Sequence, residues 1–356
     1  LISRFFHSHS VGDHYAGLLR TFPRRGARYT VFRFPGAGDA VARGMEEAAD
    51  EAILLSTRLG EVREQIASQE LDVLFFTDIG MDPWTYFLGF SRLARVQCVA
   101  LGHPVTTGIP TIDYYLSCDR LEPAGAEGHY SERLVRFSNM PHYLSQPREL
   151  GHEGRRSDYP LPSDARWYVC QQTLFKVHPE FDMLVGEILR RDPGGVAIFF
   201  AGQQEPWTRA LQDRMRMSIP DVFDRVAFLP RLGFDEYLAF LQLSDVLLDT
   251  LHFCAGTTTY QALAMGTPLV TLPGAFARGR GTDAAYRRIG VLDCVAANPQ
   301  DYVRRAVLIA NDRGLRDSIG AAFRERMGVL FSNAAAAAEI EAFFLDAARR
   351  AEADAA

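Results

Sequence analysis

Asp249-Thr-Leu-His-Phe-Cys-Ala-Gly-Thr-Thr-Thr-Tyr-Gln-Ala-Leu-Ala-Met-Gly-Thr-Pro-Leu-Val270 runs from the end of one strand into the next. Between them come a turn of small residues and a helix that opens on three consecutive threonines. The N–H groups of a first helical turn lack intrahelical acceptors, and the helix dipole adds positive potential there. A diphosphate would sit against Gly256, Thr257, Thr258 and Thr259. The same threonines serve equally well as helix caps. Gln261, in the first helical turn, either reaches a ribose hydroxyl or faces solvent.

The strand–helix alternation of this stretch extends in both directions. Upstream, strands are expected at Trp167–Cys170, Val196–Ala201, Arg225–Leu229 and Val246–Asp249, with helices such as Pro179–Arg191 and Trp207–Met217 between them. A second alternating block precedes these, with strands at Tyr29–Phe34, Ala52–Ser56, Leu71–Asp78, Val96–Leu101 and Tyr114–Cys118. The aperiodic stretch from Ser145 to Asp164 reads as a linker. The expected domains are therefore residues 1–150, a linker at 151–164, residues 165–332, and an amphipathic helix at 333–356. Two βα halves imply an α/β protein of two doubly wound, Rossmann-like domains, with the active site in the cleft between them.

Composition narrows the function classes. The 356 residues are 47% hydrophobic and 23% charged, values of an ordinary globular chain. A net charge of -6 gives no general attraction for nucleic acid or anionic membranes, so neither is an expected partner. The longest apolar runs, such as Val196 to Ala201, are of strand length, so no membrane span is expected. Five scattered cysteines without a C-x-x-C pair indicate neither zinc nor disulfides and point to the cytoplasm. The abrupt start at Leu1, already strand-like, suggests that an upstream portion is absent.

Other residues fall at strand ends. Cys170-Gln-Gln-Thr-Leu-Phe-Lys-Val-His-Pro follows a buried strand and places Lys176, the only lysine in the chain, at the rim. It either neutralises a leaving diphosphate or is simply solvated. His9 and His14 lie in a histidine-rich loop after the first strand, where a histidine can act as a general base or steer an acceptor. His103 and Pro104 follow another strand in Leu101-Gly-His-Pro-Val-Thr-Thr-Gly, which also reads as a plain turn. No D-x-D or H-E-x-x-H motif occurs, so no metal site is expected.

Taken in order, these segments resemble glycosyltransferase family 41, the O-linked N-acetylglucosamine transferase family, which includes SPINDLY-type and bacterial adhesin-glycosylating enzymes. The resemblance runs through His9–Val11, Arg95 to Gly108, Tyr130-Ser-Glu-Arg-Leu, Leu174 to Pro179, Arg225 to Leu232, His252 to Pro268, and Leu272 to Arg280. It implies the GT-B fold and inverting, metal-independent transfer from a UDP-sugar, UDP-GlcNAc or UDP-glucose, with no cofactor, to an acceptor protein or peptide. Lys176 matches the lysine that stabilises the leaving diphosphate. Thr257, Thr258 and Thr259 match the phosphate-binding helix start, and His9 matches the histidine near the acceptor. Gln172 and Thr173 fall where the family contacts the nucleotide; Arg231 and Leu232 fall on the loop whose backbone meets uracil. His103 and Pro104 fall on the sugar and acceptor side.

Three departures stand out. Cys254-Ala-Gly-Thr replaces the usual Gly/Asn- or Gly-His-bearing run before the double threonine. Gln261 replaces a carboxylate at the ribose position. Asp78-Ile-Gly-Met-Asp-Pro lacks the histidine of the Ser/Thr-modifying enzymes and looks more like the type that glycosylates Asn. A small-molecule or glycan acceptor, or a silent nucleotide-sugar-binding module, are the alternatives. The family commonly carries upstream helical repeats, which are expected to be missing from this chain.

Overall fold

A computed structural model describes residues 1–36, 38–145 and 154–355. The chain divides into two compact units, Leu1–Gln146 with Phe331–Ala356, and Pro147–Leu330. The second unit is thus an insertion within the first. Part of the expected linker, 146–153 with Arg148, Glu149 and Glu153, lies outside the described residues. Its later part belongs to the second unit: Arg156 donates to the Leu243 carbonyl and to Asp245, and lies 4.5 Å from the centre of the Trp167 ring.

In the first unit the strands are β1 Ile2–Ser3, β2 Thr30–Arg33, β3 Glu51–Leu54, β4 Val73–Phe76, β5 Val96–Val99, β6 Tyr114–Cys118 and β7 Arg133–Phe137. They form a parallel sheet in the order β3-β2-β1-β4-β5-β6-β7. Val-Leu-Phe-Phe of β4 is a near-continuous apolar run because helices cover both faces of the sheet. Those helices include α1 Ser10–Thr21, α2 Ala40–Ala48, α3 Leu59–Ala67 and α4 Pro83–Gly89. The chain order reverses between β1 and β4.

In the second unit, β8 Arg166–Cys170, β9 Gly195–Phe200, β10 Val226–Leu229, β11 Val246–Leu248 and β12 Leu269–Val270 form a second parallel sheet, ordered β10-β9-β8-β11-β12. Helices α5 Pro179–Arg191, α6 Glu205–Ser218, α7 Phe234–Leu243, α8 Thr257–Met265, α9 Gly281–Ile289, α10 Pro299–Asn311 and α11 Arg313–Arg326 accompany it. Here the reversal lies between β8 and β11. At such a switch point the flanking connections leave in opposite directions, so a crevice opens beyond the carboxyl ends of the two strands.

The last helix, α12 Ala334–Ala355, packs on α1, β4, β5 and β7 of the first unit. Ala337, Ile340 and Phe344 enter that unit's core beside Tyr15, Phe22 and Phe75. The stretch Arg313–Asp354 is long and apolar enough by composition to cross a membrane, which differs from the expectation drawn from the short apolar runs. Of the apolar side chains that α12 contributes to it, Ala337, Ile340 and Phe344 are committed to the first unit's core.

Candidate functional site

The loops beyond β8 and β11 meet at the second unit's switch point. Gln171 and Gln172, both buried, follow β8. Gln172 Nε2 donates to Thr258 Oγ1 at 3.1 Å, and Gln171 Nε2 donates to the Thr258 carbonyl at 3.2 Å. The Tyr237 hydroxyl on α7 donates to Gln171 Oε1 at 2.9 Å, which fixes the amide's orientation. The β8 loop is thereby tied to the first turn of α8.

Asp249 organises the loop on the other side. It is 1% exposed and accepts from the Ala255 N–H at 2.6 Å and from Thr271 Oγ1 at 2.7 Å, while the Tyr302 hydroxyl donates to its carbonyl at 2.8 Å. Burial raises its pKa, and hydrogen bonds from Thr282, Thr271 and Ala255 oppose that shift. The result is a rigid support for Ala255 and Gly256, immediately ahead of α8.

Lys176 ends a short 3₁₀ turn, Leu174–Lys176, and is half-buried with Nζ 4.4 Å from the centre of the Phe253 ring. Burial lowers its pKa, against the opposing influence of Cys254, Asp249 and Cys170. Among the described residues no carboxylate pairs with it in an ion pair. A partly desolvated cation near a helix N-terminus favours a multivalent anion.

The three threonines divide their roles. Thr257 is half-exposed and Thr258 carries the hydroxyl held by Gln172. Thr259 is buried; its hydroxyl donates to the Ala255 carbonyl at 2.7 Å and meets Thr282 Oγ1 at 2.9 Å, and its N–H binds the Gly256 carbonyl. Thr259 therefore braces the turn, and the expected contact of its hydroxyl with phosphate is corrected: that hydroxyl is already engaged. Gln261 is half-buried, and its Oε1 has no partner among the described residues. A buried acceptor of this kind is completed by a ligand hydroxyl.

A cavity of about 360 Å³ adjoins the Gln171 loop. Gln172, Thr173, Arg231 and Leu232, four of the expected residues, line it together with Phe200, Phe234 and Tyr237. Apolar and aromatic walls with a few amide and backbone groups suit a planar base.

The first unit collects its own residues beyond β1, β4 and β5. His9 caps α1: its Nδ1 accepts from the Val11 N–H at 3.2 Å, and its ring stacks on Phe5 at 4.6 Å. Burial, with His7 nearby, lowers its pKa, so the neutral ring carries its proton on Nε2. His9 in this state is a hydrogen-bond donor, suited to steering a substrate rather than taking its proton. His14 is not in a loop: it lies on α1, against the His142 ring at 4.9 Å, and burial lowers its pKa to about 4. The His103 ring packs on Gly80, and its carbonyl accepts from the Tyr115 hydroxyl at 3.0 Å. Pro104 is half-buried in the same loop. Buried Glu132 anchors that loop by accepting from Thr106 Oγ1 and the Thr107 N–H. Asp78, just beyond the end of β4, is fully buried with Oδ2 unpartnered among the described residues, and burial pushes its pKa up to about 7.

Sequence reasoning does not single out Gln171, Tyr237, Asp249, Phe253 and Thr282 as functional. Asp249 and Phe253 lie inside the decisive motif, but Tyr237 is separated from Gln171 by 66 positions, which no local pattern spans.

Two Rossmann-like units, each with its crevice at a switch point, define a GT-B glycosyltransferase fold. The chain belongs to glycosyl transferase family 41, whose family model matches residues 144–336, more than half of its length. It is 27% identical over 248 residues to a probable UDP-N-acetylglucosamine–peptide N-acetylglucosaminyltransferase SPINDLY of Solanum lycopersicum, covering 66% of this chain and 25% of that protein. It is 26% identical over 325 residues to a UDP-glucose:protein N-beta-glucosyltransferase of Actinobacillus pleuropneumoniae serotype 5b, covering 88% of this chain and 50% of that one. The chain thus spans half or less of these relatives' own length. In fold it is similar to a point mutant of the Thermobaculum terrenum O-GlcNAc transferase, with TM-score 0.86 and 24% identity over 100% of this chain and 68% of that one.

Proposed function

We propose that this chain transfers a hexose or N-acetylhexosamine from a UDP-sugar, UDP-GlcNAc or UDP-glucose, to a side chain of an acceptor protein or peptide. The observation that carries this reading is Lys176, a half-buried cation with no ion-pair partner among the described residues, in the loop that Gln172 ties to the start of α8. Uracil would occupy the cavity at Arg231 and Leu232, a ribose hydroxyl would donate to Gln261 Oε1, and the diphosphate would lie at Gly256–Thr258. The acceptor's Asn nitrogen, or Ser/Thr oxygen, attacks the anomeric carbon opposite the departing UDP. The carbon–oxygen bond to the diphosphate breaks as the new bond forms, which inverts that centre, and the proton released by the acceptor passes to the departing diphosphate. Lys176 and the helix N-terminus stabilise the charge that grows on the leaving oxygen, the task a metal performs elsewhere. His9 orients the acceptor through Nε2–H. Five buried free cysteines favour the cytoplasm as the compartment.

Lys176→Ala tests this directly. It should lower turnover on the order of 100- to 1,000-fold, with an unchanged circular dichroism spectrum. UDP titrated calorimetrically in EDTA should bind the parent and bind the variant more weakly. Full activity in the variant would refute the role of Lys176. UDP binding without transfer to any protein or peptide would favour a nucleotide-sugar sensor, and transfer only to a small molecule or glycan would replace the acceptor class.

A further inference from the structure

We propose that His178, Glu180 and His252 bind one divalent transition-metal ion of the zinc type. One ligand atom from each residue lies within 4.8 Å of those of the other two, and all three residues are exposed. The His178 and His252 rings meet edge to face at 4.6 Å, and His252 Nε2 lies 3.0 Å from Glu180 Oε2. Two imidazoles and a carboxylate are a ligand set that zinc favours, and three protein ligands leave a fourth position for water or an anionic group. Zinc bonds of about 2 Å set ligand atoms roughly 3.3 Å apart, close to the separation already shown by the His252–Glu180 pair, and exposed side chains reach it by small rotamer adjustments.

His252 sits at φ +66°, a left-handed conformation that a residue bearing a Cβ adopts at a cost. That conformation belongs to the turn that carries its ring toward α5. On the other side, His178 is the N-cap of α5, its Nδ1 accepting from the Glu180 N–H at 3.3 Å. Metal at Nε2 would move the ring proton to Nδ1 and exchange this long bond for a coordinate one. The buried cysteines do not compete for the ion. His252 is separated from Glu180 by 72 positions, so no motif of ligand spacing reveals the set.

An ion here would clamp the loop after β11 to the start of α5, on either side of the Lys176–Phe253 contact. The inference rests on this geometry alone and not on the transfer reaction.

The test is calorimetric titration of ZnCl₂ into the full chain, stripped with chelator, with parallel thermal unfolding. The expected result is one equivalent of zinc bound and an unfolding midpoint that rises with zinc. His252→Ala and His178→Ala should each weaken binding at least tenfold and abolish the thermal shift, while His7→Ala leaves both unchanged. Added Co²⁺ should give visible bands of a four-coordinate site, lost in His252→Ala. Absence of zinc binding in the parent, or binding that survives in both His178 and His252 variants, overturns the proposal. Because folding is followed by the zinc-free unfolding midpoint, a variant that merely unfolds is recognised; Glu180→Gln, which keeps the side-chain volume, then decides the point by whether the affinity falls.

Discussion

Two neighbouring residues of α8 separate structure from ligand. Thr259 commits its hydroxyl to Ala255 and Thr282, whereas Gln261 keeps a buried acceptor without a partner among the described residues. Thr259→Val should therefore cost about 1–3 kcal/mol of unfolding free energy, measured by urea titration, and should reach UDP only through that loss. Gln261→Ala should leave stability nearly unchanged and weaken calorimetric UDP binding roughly tenfold, about 1.4 kcal/mol. Asp78 gives a different signature. Its folded-state pKa, about 7, lies above the ordinary carboxylate value of 3.8, so the native state holds a proton that the unfolded chain releases. Stability contributed by this group is present at acid pH and falls as pH rises through that window, then levels off. Asp78→Asn should flatten the unfolding free energy between about pH 4 and 7 and raise it at pH 8; an unchanged profile would mean that Asp78 stays ionised.

The elements are unevenly legible in the sequence. β4 and the β8–α8 region stand out, because two-face burial leaves continuous apolar runs and a strand–turn–helix transition leaves small residues and caps. α1 reads as a loop, since the histidines just ahead of it, His14 and two glycines within it obscure its apolar stripe of Val11, Tyr15, Leu18 and Leu19. β7 carries Arg133 and Arg136 among its apolar residues at the sheet's edge, and α11 hides its buried Ile319 and Phe323 among arginines. Of the site, the residues within one loop are readable, while the braces that reach it from α7 and α9, Tyr237 and Thr282, depend on packing between distant elements. The β5–β6 connection illustrates how tight such packing is. A Cβ on Gly102 would overlap the Thr77 carbonyl oxygen, so the loop bearing His103 lies directly on the end of β4. Nothing in the spacing of Leu101-Gly-His-Pro announces that contact, because Thr77 follows a strand more than twenty positions away.

At the scale of the whole molecule, the first unit depends on the last helix. Tyr29 donates its hydroxyl to Glu341 at 2.6 Å, the Arg24 N–H reaches the same carboxylate, and Ile340 is fully buried. Truncation at Phe331 should therefore unfold the first unit, seen as a lost calorimetric transition. Binding of UDP should persist, since every residue proposed to hold the nucleotide lies within Pro147–Leu330. Loss of both properties together would show that the second unit needs the first in order to fold.

The insertion of one unit within the other also dictates an order of synthesis. By the time Leu330 leaves the ribosome, the second unit has its complete sequence, whereas the first still lacks the helix that covers β4, β5 and β7. The nascent chain must carry an open apolar sheet face through the translation of the whole insert. Premature stop codons in the last few dozen positions would thus yield a chain whose later-synthesised half is sound and whose first-synthesised half is a client for chaperones or proteases.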